Sequence, residues 1–434
     1  MKSMKEKRGI TLIALAVTIV VILILAGVTI DVTLGENGIL NKSKEAANRM
    51  NNLVKEDEAE LNELLNELNE TMDSNWNSNI EIPEENTVPE PEPGPPTIED
   101  TTGIQEETVQ VEDEYGNKVT IPKGFEVVEE EGTTVPEGIV IQDKDGNQFV
   151  WIPVGRVYKD NTGTNYSDIQ LGRYTFNKTN GTPTPVQYAY TEANPENYKQ
   201  LIALPENVEE TDCYEYATRA NPDGIESAGT NALNAIAKDL EGFVNSVKEN
   251  NGYYLARYEA SYGSGTSVAN YKPLSKISTS VSDGINDFNM KYVVGHLWVS
   301  TGQIGAAKIC RNMYNNDESI GVESDLTNSY AWDTAIVFIQ EMGNSNYANK
   351  AVENRIFMNT GTTGDEACNI FDMASNHREW TTEYSSYQHD EHGLPYVCRG
   401  GFAYTDTTYA AMRSPYHQSG IQRYVSFRPV AYIK

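Results

Sequence analysis

The polarity pattern divides the chain into stretches of different kind. Residues 10–30, from Ile10 to Ile30, carry no charged side chain, and Lys2, Lys5, Lys7 and Arg8 precede them behind Gly9. No further Lys or Arg appears before Lys42. As a helix this run is about 31 Å long, about one hydrocarbon core. The pattern predicts a membrane-spanning helix with the leader inside the cell and everything downstream outside. After a turn signal at Gly35–Gly38, residues 39–72 place Met50, Leu53, Val54, Leu61, Leu64, Leu65, Leu68 and Met72 mostly three and four apart. That spacing predicts an amphipathic helix, either a coiled-coil stalk or a helix packed on a globular head. Residues 73–108 are rich in Asn, Glu and Pro, and the string from Pro89 to Pro96 predicts an extended, charged spacer.

Beyond the spacer the period shortens. Val111 to Pro122 and Ile141 to Pro153 each read as a strand, a Gly-Asn turn and a second strand ending at Pro. Two copies do not make a solenoid. The first is expected as a small hairpin over 109–135, and the second opens a main domain over 136–434. Helices are expected at 230–249, 300–314 and 330–342. The first carries Leu233, Ile236, Leu240, Phe243 and Val247 at helical spacing behind a Gly229-Thr230 start signal. The remaining strands are short, between long Asn/Gly/Ser/Thr loops, which is an α+β pattern.

The chain has 434 residues, enough for one large domain with appendages or for two domains. Its net charge of −30 argues against nucleic acid and anionic membrane surfaces as partners and suits a secreted surface. Cys213, Cys310, Cys368 and Cys398 show no CxxC pairing and no metal-ligand spacing. Outside the membrane one or two disulfides could form. Among the five histidines, His389 and His392 share a charged loop with metal-like HxxH spacing, which off a helix reads first as a solvated loop. Asp- and Asn-rich loops could hold a structural Ca²⁺, but no EF-hand spacing assigns a site, and no other cofactor is expected.

The basic leader, Gly9 and the string Ile10-Thr11-Leu12-Ile13 resemble the start of a type IV prepilin. The resemblance implies cleavage after Gly9 by a prepilin peptidase, methylation of Ile10, and packing of the helix among pilin subunits. Ile10 stands where Phe is usual and Ala14 where most major pilins carry Glu, so a minor or tip subunit, or a simple anchor, fits best. A plain signal anchor is the alternative. A cleaved signal peptide fits poorly, because the run is long and ends without an A-x-A site.

A second resemblance lies in the C-terminal third. The segment from Asn369 through Asp372-Met373 and Glu379-Trp380 to Thr381 resembles the N-x-x-D-M-x-G-N-V-x-E-W-T signature of the formylglycine-generating enzyme family. Arg399-Gly400-Gly401-Phe402, Ala411-Met412-Arg413-Ser414 and Ser426-Phe427-Arg428-Pro429-Val430 follow in the family's order. Asp325–Asp333 and Arg257–Ser261 are similar to its upstream elements. Ser375, His377, Arg378 and Ser426 depart from the pattern. The resemblance implies a C-type-lectin-like fold, in the variant these enzymes use, for about 136–434. Trp380, Phe402 and Phe427 are then core anchors beneath loops. Gly400 and Gly401 allow close backbone approach. Arg399, Arg413 and Arg428 hold carbonyls or carboxylates such as Asp372 and Glu379. Cys368 with Cys398 is the favoured disulfide, since both fall in that core. Family enzymes bind copper through two cysteines just beyond RGG. Residues 402–413 contain no Cys, so a soft copper site is not expected and neither is an enzyme.

The last fifty residues hold seven tyrosines, most of them between the framework motifs. Loops of Tyr, Ser, Thr, Asp and Gly have the composition of a paratope, since Tyr gives rigid contact area and small polar residues give adaptable hydrogen bonds. Half-buried loop packing is the alternative. The arrangement resembles the variable proteins of diversity-generating retroelements, which implies a fixed frame displaying diversified loops. The expected contact residues are Tyr387, Tyr404, Asp406, Tyr409, Tyr416, His417, Gln418 and Tyr424, facing an extracellular protein or glycan. A single-pass surface protein that binds a ligand is the expectation. A structural minor pilin or pseudopilin is the runner-up, and an oxidase of the formylglycine-generating type the third.

Overall fold

The computed structural model describes residues 96–434, apart from 102, 206–211, 217–238, 268–269, 280–293, 295, 300–301, 316, 387–395 and 417–423. The prepilin-like start with Gly9 and Ile10, the apolar run 10–30 and the stretch 39–72 lie outside the described residues. Among the described residues no helix is long and apolar enough to cross a membrane.

Two six-stranded sheets organise the unit Glu92–Lys434. Numbered along the chain, their strands are β1 (Phe125–Val127), β2 (Val140–Asp143), β3 (Gln148–Pro153), β4 (Leu204–Pro205), β5 (Asp212–Tyr214), β6 (Gly252–Ala256), β7 (Val322–Leu326), β8 (Arg378–Ser385), β9 (Tyr396–Arg399), β10 (Arg413–Tyr416), β11 (Val425–Phe427) and β12 (Pro429–Ile433). The first sheet is antiparallel, in the order β7-β12-β6-β3-β2-β1. Its central strands β3 and β6 are nearly continuous apolar runs, as strands covered on both faces must be. Trp151 and Tyr254 sit opposite one another there, with ring centroids 5.0 Å apart.

The second sheet runs β4-β5-β8-β9-β10, with β11 parallel to β8. The chain leaves this sheet at Phe427 and enters the first at Pro429, so Arg428 alone makes the crossing. Its guanidinium grips Glu379 of β8 through two bonds, of 2.6 and 2.5 Å. It also donates to the carbonyls of Ala256 on β6, at 3.1 Å, and Phe371, at 2.8 Å. One buried arginine thereby fastens the two sheets together.

Three α-helices and five two-stranded sheets, among them the hairpin Gly172–Phe176 with Pro183–Tyr188 that carries Arg173, lie beside these sheets among the described residues. Helix α1 (Leu240–Asn250) begins at Asp239, whose Oδ1 accepts from the Gly242 amide at 2.8 Å, and ends at Asn251 with φ 58°. The start signal expected at 229–230 lies outside the described residues. Helix α2 (Gln303–Tyr314) presents Ala306, Ala307, Ile309 and Cys310 to a core shared with Trp298, Trp380 and Phe427. Helix α3 (Ser329–Glu341) is buried from Ser329 to Ile339, so it runs through the interior. Its Trp332 donates Nε1 to the Ala410 carbonyl at 2.9 Å.

The repeated Gly-Asn pattern is one turn built twice. In each copy an aspartate carboxylate, Asp113 or Asp143, accepts from the amides two and four residues on and from the side chain of Asn117 or Asn147. The first copy joins Val109–Glu112 to Lys118–Ile121. It is not a separate piece: Val111, Val119 and Ile121 lie in the same core as Trp151, and β1 directly after it joins the first sheet. Ile98, within the expected spacer, is buried there too. The boundaries expected at 108 and 136 therefore do not divide this unit, because apolar side chains on both sides share one interior.

The favoured Cys368–Cys398 bridge is not formed. Cys398 faces the second core and the Ser414 carbonyl, whereas Cys368 lies half-buried beside Asn344.

At Gly400 (φ 88°) a Cβ would meet the Met373 carbonyl oxygen at 2.8 Å, and at Gly401 it would overlap the Ala374 carbonyl. Gly401→Ala is expected to lower the unfolding free energy by about 1–3 kcal/mol or more. Denaturant titration of the full-length protein checks this, and an unchanged midpoint contradicts the close approach.

Candidate functional site

Strands β8, β9 and β10 bring the framework arginines together with carboxylates that sequence reasoning did not pair with them. Glu383 accepts from Arg413 Nε at 2.8 Å, Arg399 Nη1 at 3.2 Å and Arg173 Nη2 at 3.2 Å. Asp333, in the middle of α3, accepts from Arg399 and Arg413, each at 2.5 Å. All five side chains are buried. Burial pushes the Glu383 carboxyl up, but Arg413, Arg399 and Arg173 outweigh it and hold the group at about 2. Of the two expected partners, Glu379 takes Arg428. Asp372 meets no arginine, since the hydroxyls of Thr360 and Thr363 and the Gly361 amide fill its acceptor sites at 2.5–2.7 Å.

Above this frame three loops are laced by hydrogen bonds. The Arg355 amide donates to the Ala403 carbonyl at 2.8 Å, and the Ala403 amide to the Asn376 carbonyl at 2.9 Å. The Asn376 side chain accepts from the Met358 amide at 3.0 Å. Buried Glu259 steadies the turn into β8, accepting from Asn376 Nδ2 at 2.5 Å and from the His377 amide at 3.0 Å. Its carboxyl is pushed well up, first by burial and then by Asp372 and Glu379.

The lacing gathers an aromatic cluster. Phe357 stacks on His377, with centroids 3.9 Å apart and planes at 14°. Tyr404 meets Phe357 edge-on at 5.0 Å, Tyr424 stacks on Phe357 at 5.8 Å, and Phe402 touches all three of these rings at 5.7–5.9 Å. Arg378 lies with Cζ 5.0 Å from the Phe402 centroid and 5.6 Å from that of Tyr416, and donates Nη1 to the Tyr416 hydroxyl. Tyr416 rests edge-on against Trp380, at 6.0 Å. Tyr404, 45% exposed, and Tyr424, 37% exposed, form the outer surface, and Ile356, next to Phe357 in the chain, is 60% exposed. Phe357 and His377 are the buried floor.

The expected contact residues thus separate. Tyr404, Tyr416 and Tyr424 converge on one platform. Asp406 is exposed on the loop after Tyr404. Tyr409 turns away and packs against the main core, with Lys178 Nζ 4.0 Å from its ring centre. Tyr387, His417 and Gln418 lie outside the described residues, as do His389 and His392. Phe402, expected as a core anchor, is half-buried and belongs to the platform, because its neighbours are surface aromatics. Trp380, Arg399, Gly400, Gly401, Arg413, Phe427 and Arg428 lie beneath as buried frame. Sequence reasoning missed Ile356 and Phe357, though the apolar run Ile356-Phe357-Met358 between Asn354-Arg355 and Asn359-Thr360 was the available signal. His377 and Arg378, noted as departures from the family signature, lie at the platform. Among the described residues no group of three or more His, Cys, Asp or Glu side chains is placed to hold a metal ion.

No family model, curated protein or solved structure matches this chain.

His377 is fully buried, and neither ring nitrogen has a hydrogen-bond partner. Burial lowers its pKa to about 3 from an ordinary 6.5. Above pH 6.5 the imidazole is neutral folded or unfolded. Below it the unfolded chain takes up the proton first, so stability falls as pH drops toward the folded value. The loss at this residue between pH 6.5 and 5 is about 2 kcal/mol. His377→Phe is expected to remove that share of the acid sensitivity, read by urea unfolding at the two pH values. Equal pH slopes in both proteins contradict a buried neutral imidazole.

Proposed function

We propose that this chain is a surface-displayed ligand-binding protein, of receptor or adhesin type. A pilin-like N-terminal helix anchors it, a spacer carries it outward, and a lectin-like head holds the ligand by recognition without chemistry. The observation that carries the reading is the platform. Tyr404 and Tyr424 stand open to solvent on rings packed over a buried ion-paired frame, which is how rigid, amphipathic contact area is presented to a partner. The polar stretch Thr405-Asp406-Thr407 directly after Tyr404 adds adaptable hydrogen-bonding groups. The retroelement resemblance fits the same division between fixed frame and displayed loops.

Full-length protein and its Tyr404→Ala/Tyr424→Ala variant, probed on arrays of glycans and cell-surface proteins, test this. The variant is expected to lose about tenfold or more in affinity for whatever the native protein captures, with normal delivery to the surface. Native capture with impaired surface assembly supports the structural pilin role instead.

A further inference from the structure

The arginines of the described residues follow one rule with a single exception. From Arg156 to Arg428, every other one has a carboxylate within 4.0 Å. Arg378 has no carboxylate that close among the described residues. Its guanidinium lies between Phe402 and Tyr416, and its Nε is buried without a partner. The chain carries a net charge of −30, yet among the described residues no acid lies within ion-pair distance of this half-buried cation at the rim of an aromatic surface. A guanidinium resting by the Phe402 ring and bonded to the Tyr416 hydroxyl has already lost conformational freedom, so binding an anion costs it less further ordering.

We propose that Arg378 anchors an acidic side chain of a protein partner. The Asp or Glu carboxylate takes the guanidinium's free donors, while apolar residues flanking it on the partner pack on Tyr404, Tyr424 and Ile356. This rests on the platform being the binding face. Ile356 favours a protein over a sugar, because an exposed aliphatic side chain offers hydroxyls no partner. Aromatic, arginine and aliphatic groups in one patch are the makeup of a protein–protein hot spot. On a chain of net charge −30, this cation draws the partner's carboxylate to the platform.

A random peptide library displayed on phage, selected on the intact detergent-solubilised protein, tests the proposal. The expected peptides place Asp or Glu beside an aromatic or aliphatic residue. Changing that acid to its amide is expected to weaken binding to the native protein by about tenfold, and to Arg378→Gln by less than about twofold. Arg378→Lys, which keeps the charge and loses the fork, falls between. Unchanged unfolding midpoints in both variants show that the frame is intact. Peptides that bind without needing an acid, or acid-dependent peptides that Arg378→Gln holds equally well, overturn the anchor. So does an empty selection, or acidic oligosaccharides captured through Arg378 in place of peptides. In each case the platform reading stands if Tyr404→Ala/Tyr424→Ala abolishes what the native protein captures, and falls if that variant captures equally well.

Discussion

Three guanidiniums and two carboxylates, sealed from water behind strands β8, β9 and β10, are the constraint on which the head depends. Arg399 and Arg413 each bridge Asp333 and Glu383, and Arg173 closes the set on Glu383. A charge in such a place is tolerable only with its partners in position, because removal of one partner from a buried pair costs about 3–5 kcal/mol. The network therefore specifies geometry more than it adds stability. It requires helix α3, the ends of β8 to β10 and the hairpin strand Gly172–Phe176, which carries Arg173, to meet at one point. Arg428 does the same where the chain crosses between the sheets, and Arg257 does it nearer the surface through Glu131 and Gln148.

With the frame held from below, the loops above need little core of their own. The segments through Arg355, Asn376 and Ala403 are joined by single backbone and side-chain bonds, and their apolar content has gathered into rings that cover one another only in part. Burial grades outward from His377 and Phe357 to Tyr404 and Tyr424. This gradient separates residues the fold cannot change from residues it can. A substitution at Gly401 strikes the backbone of β8's approach, whereas one at Tyr404 removes ring contacts and leaves the frame untouched.

Local chemistry was legible in the chain. The pattern predicted helices at 300–314 and 330–342, and α2 and α3 span Gln303–Tyr314 and Ser329–Glu341, because apolar spacing is a short-range signal. The twin Asp–Asn turns were visible for the same reason. What joins distant segments was not. Asp333 and Glu383 lie 66 and 16 positions from Arg399, and nothing in their surroundings marks them as partners in preference to Asp372. Tyr404 and Tyr409 share one polar loop, yet one faces solvent and the other packs under Lys178 on the main core. Phe357 became visible as part of the platform only when the fold set it on His377.

The unfolding free energy of the Tyr404→Ala/Tyr424→Ala variant tests this division of labour most directly. Tyr404 and Tyr424 make four edge and stacking contacts with Phe357 and Phe402, and such contacts contribute about 0.5–1.5 kcal/mol each, so a total loss of about 2–6 kcal/mol is predicted. Buried aromatics truncated to Ala lose about 3–5 kcal/mol apiece. A combined loss of about 6–10 kcal/mol, twice that figure, would show that these tyrosines hold the head together, and would contradict a displayed face on an independent frame.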